Sequence, residues 1–454
     1  MIVIKFGGTS VENAEAIVRA AEITRGRLAR HPVVVVSALA RATNELLAIA
    51  ADAARGQLIG ALRAVEALRE RHLAEADALL GHDAAGDEVR AEMSAMFDEL
   101  ASLAEALSVL GHATARSHDA VAAYGELLSA TLVHAAFRAR GLPVELVDAR
   151  DVMMTDDHFG RAAPQLDGIT RQARAHLVPI VEAGRVPLLA GFIGRSPQGV
   201  TTTIGRGGGD YSAALVGAAL GAEAIEIWTD VDGMLTADPR VVEDARLIER
   251  IRFDEAAELS AFGAKVLHPS TIAPAVQRGI PVFIFNSRRP EGTGTRITAE
   301  APRRAVSAIA GKGGISVVRV NSSRMLLAHG FMRTLFEIFE RHRISVDVVA
   351  TSEVSVSVTV DDASHLDALL VDLRALGDVT IERQRAIVAL VGSGLGGSSE
   401  TMARALAALD GIRVHMISLS ATEINLTIIV DADQRAPAMR ALHREFFATG
   451  GTAR

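Results

Sequence analysis

Lys5 closes an apolar tetrapeptide, Met1-Ile2-Val3-Ile4, and is followed by Phe6, then by Gly7-Gly8-Thr9-Ser10. An ammonium at the end of a buried strand, beside backbone that can approach a ligand without a Cβ, suits phosphate oxygens. A helical pattern runs from about Asn13 to Arg30. Strand, glycine turn and helix thus follow in the order that aims a helix N-terminus at an anion. The stretch is no Walker A loop, because the Gly-Lys-Ser/Thr ending is missing. Read blandly, it is an ordinary turn with a surface lysine.

A denser glycine cluster follows Thr201-Thr202-Thr203-Ile204: Gly205-Arg206-Gly207-Gly208-Gly209-Asp210. Four glycines in five positions cannot be a strand or helix interior, so they form a loop. The Ala-rich helix expected from Ser212 to Gly221 makes this a second anion nest, with Arg206 inside it. In Trp228-Thr229-Asp230-Val231-Asp232-Gly233 two carboxylates stand at i and i+2. They could hold Mg²⁺ or a ribose, or close an Asx turn, and for Asp232 the turn is preferred. Lys265, in Phe262-Gly263-Ala264-Lys265-Val266-Leu267-His268-Pro269, is a second candidate phosphate lysine, while His268 reads as a capping or packing residue. Thr155-Asp156-Asp157-His158-Phe159-Gly160 has the residue types of a metal site. Sequential ligands at that spacing rarely converge on one ion, so it reads as a polar substrate loop, and no protein metal site is expected.

The elements that must position these residues alternate. Short apolar strands at 33–36, 144–147, 187–190, 224–228 and 282–285 are separated by helical stretches, including a helix-rich insertion at 43–140 and a helix near 168–184. That alternation predicts an α/β fold, a mostly parallel sheet sandwiched by helices, with ligands beyond the carboxyl ends of the strands. At about residue 295 the texture changes after the turn-rich Glu291-Gly292-Thr293-Gly294-Thr295. The strictly alternating segment 353–361 then recurs at 423–431, a spacing of 70 residues. Each copy reads as βαββαβ, the first with a helix that buries Phe331, Leu335, Ile338 and Phe339. Gly392-Ser393-Gly394-Leu395-Gly396-Gly397 is too weak a pattern to mark a dinucleotide site.

With 454 residues, 49% apolar and 22% charged, the chain has room for several domains with a sizeable core. It has no cysteine, which excludes disulfides, thiolate metal sites and cysteine nucleophiles. A net charge of −8 with both signs interspersed, and 4% aromatic residues, argue against a nucleic-acid surface. No apolar run reaches the length of a membrane span, and the opening tetrapeptide is too short for a signal-peptide core. A cytoplasmic protein with neither membrane nor nucleic acid as partner is expected.

Lys5-Phe6-Gly7-Gly8-Thr9-Ser10-Val11, the Gly-Arg-Gly-Gly loop before Asp210, Thr229-Asp230-Val231-Asp232-Gly233 and 262–269 together resemble the aspartate kinases. The stretch from Gly330 to Asp361 is similar to their single-chain, lysine-sensitive type, whose regulatory half is a tandem of ACT domains. The resemblance covers nearly the whole chain and rests on several independent motifs in the right order. It implies an amino-acid-kinase catalytic domain over 1–295 and ACT domains over 312–380 and 381–454, with a strand near 304–311 as a candidate to complete the second. It implies phosphorylation of the L-aspartate β-carboxylate by ATP, accompanied by Mg²⁺, to give 4-phospho-L-aspartate, with feedback by an amino acid, in the first instance L-lysine. A homodimer formed through the ACT domains is expected with it.

By position, the resemblance implies that Lys5 and Lys265 flank the transferring phosphoryl group, Gly7, Gly8 and Thr9 cradle it, and Asp210 orients the lysines or the metal-bound phosphate. Thr229, Asp230, Leu235, Asp238 and Arg240 would face the nucleotide. Arg206, Glu126, Thr43 and Gly209 would meet aspartate, Arg206 at its α-carboxylate and Glu126 at its ammonium. Met325, Ala328, Gly330, Phe331, Met332, Ser345, Val346, Asp347, Ser352 and Glu353 would form the effector site. Three positions depart from the pattern: Gly209 stands where Ser is usual, Leu235 where Tyr is common, and Ala328 where the lysine-sensitive type tends to carry Ser. The competing readings are an amino-acid sensor without catalysis and a related kinase acting on glutamate.

Overall fold

The computed structural model describes every residue except 206, 263–268, 327–328, 362–365, 398 and 449–454. The chain divides into two compact units, Met1–Met234 with Val266–Glu300, and Leu235–Lys265 with Ala301–Arg454.

In the first unit the valine- and isoleucine-rich runs become strands buried along their whole length: Ile2–Phe6, Pro32–Val36 and Val186–Ala190. Burial on both faces is what a continuous apolar run without polar alternation requires. The strands lie in the order Val144–Val147, Val186–Ala190, Pro32–Val36, Ile2–Phe6, Ala224–Thr229, Val282–Asn286, Thr295–Ile297. All neighbours are parallel except the last pair. Ile2–Phe6 is central, in register with Phe6 opposite both Val36 and Trp228.

The insertion is four helices, Ala42–Ala54, Leu58–Leu79, Ala84–Leu110 and Ala115–Ala139. Asp83 and Thr114 cap the last two by accepting backbone N–H bonds, and Gly111 ends the third in a left-handed conformation. Among the described residues, Ala115–Ala139 is the one helix long and apolar enough to cross a membrane, and 72% of its most apolar window is buried inside the protein. It is a core helix, packed on the strands 32–36, 144–147 and 186–190.

In the second unit six strands form one antiparallel sheet in the order Val346–Thr351, Ser355–Asp361, Ala308–Asn321, Asp378–Val391, Asn425–Asp431, Val414–Leu419. The segments that repeat at 70 residues, 355–361 and 425–431, occupy equivalent places, each second from an edge. The two central strands, of 14 residues each, serve both repeats. Residues 315–321 pair with 355–361, while 308–312 pair with 387–391, and the register slips between Lys312 and Ile315. Two separate apolar cores result. One gathers Val318, Leu335, Phe339, Val358 and Leu369, the other Ile309, Val388, Leu426, Met439 and Leu442. The second core also takes Ala237 and Val242 from the 235–265 segment. That segment is pinned there by Thr236 Oγ1 to His443 Nε2 at 3.0 Å, and by Glu255, which accepts from the hydroxyls of Ser307 and Ser393.

Candidate active site

Beyond the carboxyl ends of the first unit's strands lies a cavity of about 600 Å³. Lys5, the penultimate residue of the central strand, enters it from below, and its Nζ stands 2.6 Å from Asp210 Oδ1, both side chains largely buried. Asp210 sits in the first turn of the helix Gly208–Leu220, where the helix N-terminus favours a negative charge. Ahead of it the loop turns through Gly205 and Gly207, with φ of 81° and 75°, values that a side chain would resist. Gly208 must also be glycine for want of space, because a Cβ there would collide with Phe192.

Gly8 lies against the turn after the second strand, where a Cβ would come 2.9 Å from the carbonyl oxygen of Ala38. The N–H of Gly7 donates to the carbonyl of Trp228 at 3.0 Å. Gly7 therefore contributes room and not a donor. Thr9 belongs to a short 3₁₀ turn, Gly8–Ser10, and the first helix starts only at Ala14, capped by Asn13. The opening motif is thus a strand, a tight turn and then a helix set four residues further on.

Glu126 projects from the core helix into the same cavity and is 4% exposed. Burial pushes its carboxyl up to about 8, against the pull of the Lys5 ammonium and a hydrogen bond from the Ala38 backbone. Its Oε2 is buried without a hydrogen-bond partner. Such an oxygen awaits a donor. Thr43, in the first turn of the helix Ala42–Ala54, and Gly209 also line the cavity. At Gly209 a Cβ would lie 2.7 Å from Ser37 Oγ, so the hydroxyl of Ser37 already occupies the space beside this position.

The cavity brings together Lys5, Gly8, Thr43, Glu126, Gly209 and Asp210. Other expected residues lie elsewhere. Thr229 ends its strand and donates to Asp230 Oδ1 at 3.3 Å, in an exposed turn outside the cavity lining. Asp232 is not an Asx-turn residue but accepts from Asn286 Nδ2 and Arg289 Nη2. Leu235, Asp238 and Arg240 belong to the second unit, where Leu235 bridges to Leu247. Asp238 is gripped by the Arg240 guanidinium through two hydrogen bonds, which with the backbone bond hold its carboxyl below the usual range. Arg206, Lys265, His268 and Ala328 fall outside the described residues. Among the described residues no cluster of three or more acidic or histidine side chains could hold a metal ion.

Asp119 was missed by sequence reasoning. It lines the cavity, is 2% exposed, and accepts from the N–H and hydroxyl of Thr203 (2.9 and 2.7 Å) and from the N–H of Gly160. One carboxylate thereby ties the loop around Gly160 and the strand before the glycine cluster to the helix bearing Glu126. Its signal was present, since Asp119 precedes Glu126 by two helical turns and shares its face. Arg41 and Phe192, which line the cavity with φ of 69° and 65°, carry no such signal.

In the second unit Met325, Phe331, Met332 and Val346 are half-buried at the fringe of the first repeat's core. Gly330 caps the helix Phe331–Arg341 with φ 86°, where a side chain would be strained. Ser345 and Glu353 are exposed, Ser352 exchanges hydrogen bonds with Ser355, and Asp347 pairs with Lys312.

The amino acid kinase family model matches residues 1–286 and an ACT domain model matches residues 388–446. The chain is 37% identical to the lysine-sensitive aspartokinase 3 of Escherichia coli strain K12, over 98% of its own length and 99% of that protein's. The crystal structure of E. coli aspartokinase III in complex with aspartate and ADP, an R-state, superposes with a TM-score of 0.86 at 36% identity, covering 98% of this chain and 100% of that one. The structure of the same enzyme with lysine and aspartate, a T-state, gives 0.83 at 36% identity over 98% and 99% of the two chains. Two-domain match, full-length identity and shared architecture agree: the chain belongs to the amino acid kinase family, among its aspartokinases.

Proposed function

We propose that the protein transfers the γ-phosphoryl group of ATP to the β-carboxylate of L-aspartate, giving 4-phospho-L-aspartate, and that L-lysine feeds back on this step through the second unit. The observation that carries the reading is that the Lys5–Asp210 pair and the buried Glu126, one of whose oxygens has no hydrogen-bond partner, line one cavity. A carboxylate is already a nucleophile, so the reaction needs no strong base. Catalysis then consists in aligning two anions and neutralising the charge between them. Lys5 supplies a fixed positive charge where that charge develops, with Asp210 holding it in place, and Lys265 approaches the same phosphates. Arg206 takes the α-carboxylate of aspartate by a two-point fork, and Glu126 takes its ammonium. Thr43 and the backbone at Gly209, with the Ser37 hydroxyl beside it, complete the aspartate side. Thr229, Asp230, Leu235, Asp238 and Arg240 serve the nucleotide.

Mg²⁺ enters with ATP. It is usually held by one or two carboxylates and the substrate's phosphates, and Asp210 offers one carboxylate of that kind. When bound, the ion spreads the negative charge of the phosphate oxygens.

We assign catalysis to residues 1–295 and regulation to ACT units at 312–380 and 381–454. The pairing of 308–312 with 387–391 supports a contribution of the preceding strand to the second ACT unit. The effector residues proposed are those around Met325, Ala328, Gly330 and Phe331, with Ser345, Asp347, Ser352 and Glu353. A cytoplasmic homodimer, paired through these ACT units, fits the half-exposed edge strands 346–351 and 414–419, and light scattering at micromolar concentration tests it. A hydroxamate assay with ATP and aspartate tests the activity. ATP-dependent hydroxamate with aspartate and none with glutamate, reduced by lysine, is expected. Absence of product would leave only an amino-acid sensor.

A further inference from the structure

Lys312 lies between two carboxylates of the first ACT repeat. Its Nζ is 2.9 Å from Asp347 Oδ2 and 2.7 Å from Asp361 Oδ1. The strand 355–361 runs between the strand that carries Lys312 and the one that carries Asp347, so the lysine reaches across one neighbour. Two irregularities allow this. The register of 308–321 slips just after Lys312, where Gly314 has φ 71°, and the register of 346–351 slips between Val346 and Val349, beside Asp347. Burial works against the charge on Lys312, but the two carboxylates more than offset it and raise its pKa.

The second repeat fills the equivalent place differently. Val414 pairs with Val430 as Val346 pairs with Val360, and the residue that follows is His415, held between Asp431 at 3.0 Å and Glu382 at 3.3 Å. A carboxylate at the slip, facing an internal ammonium, is therefore particular to the first repeat among the described residues.

We propose that Lys312 is a resident competitor for the effector: without an effector its ammonium occupies the Asp347 carboxylate, and an incoming amino acid must take that carboxylate from it. The proposal rests on the reading of Asp347 as the group that receives the effector's ammonium. The exchange strands no charge, because Lys312 keeps its second partner, Asp361, whose side chain is 65% exposed and can follow it. One ammonium replaces another at Asp347, so that carboxylate faces a single cation before and after binding. Effector affinity in the wild-type protein should accordingly depend only weakly on salt. Without Lys312 the effector would meet an uncompensated pair of carboxylates, with a stronger and more screenable attraction.

Calorimetric titration of the full-length protein with L-lysine, at low and at high ionic strength, tests this. Lys312→Met should bind lysine roughly three to five times more tightly at low salt, the gain expected when a partly exposed ion pair no longer has to be broken. Its affinity should fall more steeply with salt than that of the wild type, and Lys312→Arg should restore both properties. Lys312→Gln serves as the second neutral variant, and thermal unfolding verifies that each variant is folded. Unchanged or weaker binding in both neutral variants would overturn the proposal. Asp347→Ala separates the two levels of the argument. If it binds lysine like the wild type, the effector reading of Asp347 fails and the competitor role with it. If it abolishes binding while the Lys312 variants bind no tighter, only the competitor role falls.

Discussion

Lys5 and Glu126 share one cavity but stand in opposite electrostatic situations. The lysine has its counter-ion 2.6 Å away, whereas the glutamate is buried with one oxygen unpartnered. Lys5→Met should leave the protein folded, since the lost charge faces the cavity, and lower kcat by about 10²–10³, as removal of a preorganised charge-stabilising donor does. Steady-state assays retaining more than half of the wild-type kcat would remove Lys5 from the chemistry. Glu126, with its carboxyl pushed up to about 8, is mostly neutral at pH 7 in the free protein and becomes fully ionised only above pH 8. An aspartate ammonium binds the ionised form better, so KM for aspartate should fall as pH rises from 6.5 through 8 and level off only once Glu126 is fully ionised. Glu126→Gln should raise KM and flatten that profile; a flat wild-type profile would refute the role. Stability follows the opposite course. Between pH 4.5 and 8 the unfolded chain has released the Glu126 proton that the folded chain retains, so this group's contribution is lost as pH rises through 8. Comparing denaturant midpoints of the wild type and Glu126→Gln at pH 5 and pH 8 measures it.

Elements explain how far such residues could be read without coordinates. The buried strands were legible because uninterrupted valine and isoleucine runs have few other uses in a chain of this composition. The loop at 205–209 was legible because its glycines exclude everything else, and the structure shows why. Two of them take positive φ and Gly208 has no room for a side chain beside Phe192. Gly208→Ala should therefore displace the start of the helix Gly208–Leu220, and Asp210 with it. We expect kcat to drop by at least tenfold with a lower thermal midpoint, and wild-type values for both would show that the loop yields freely. Glu126 was legible only through family resemblance, since a lone glutamate in an Ala/Leu-rich helix has no local signature. Asp119 was overlooked for a related reason. Its three donors come from residues 41 and 84 positions away, and a sequence shows no contact of that range. Nothing in the residue types of Arg41 and Phe192 announces their left-handed conformations.

Across the whole molecule, the 70-residue repeat announced a paired module, but nothing in the sequence marks the 235–265 segment as belonging with it. Ala237 and Val242 look like ordinary apolar positions until they are found in a core with Ile309, Leu426 and Leu442. Ending the chain at residue 300 would strip these two residues of their cover and leave Glu255 without the hydroxyls of Ser307 and Ser393. We predict that such a truncation yields an aggregating or poorly active protein and not merely an unregulated one. A monodisperse truncate with full, lysine-insensitive activity would contradict this. The same dependence has a consequence during synthesis. Val242 leaves the ribosome about 200 residues before Leu442, a member of the same core. At roughly 5–20 residues per second, that is a wait of about 10–40 s with an apolar segment uncovered. Exposed apolar surface of this kind is prone to association, so the yield should depend on translation speed more than on the stability of the finished fold.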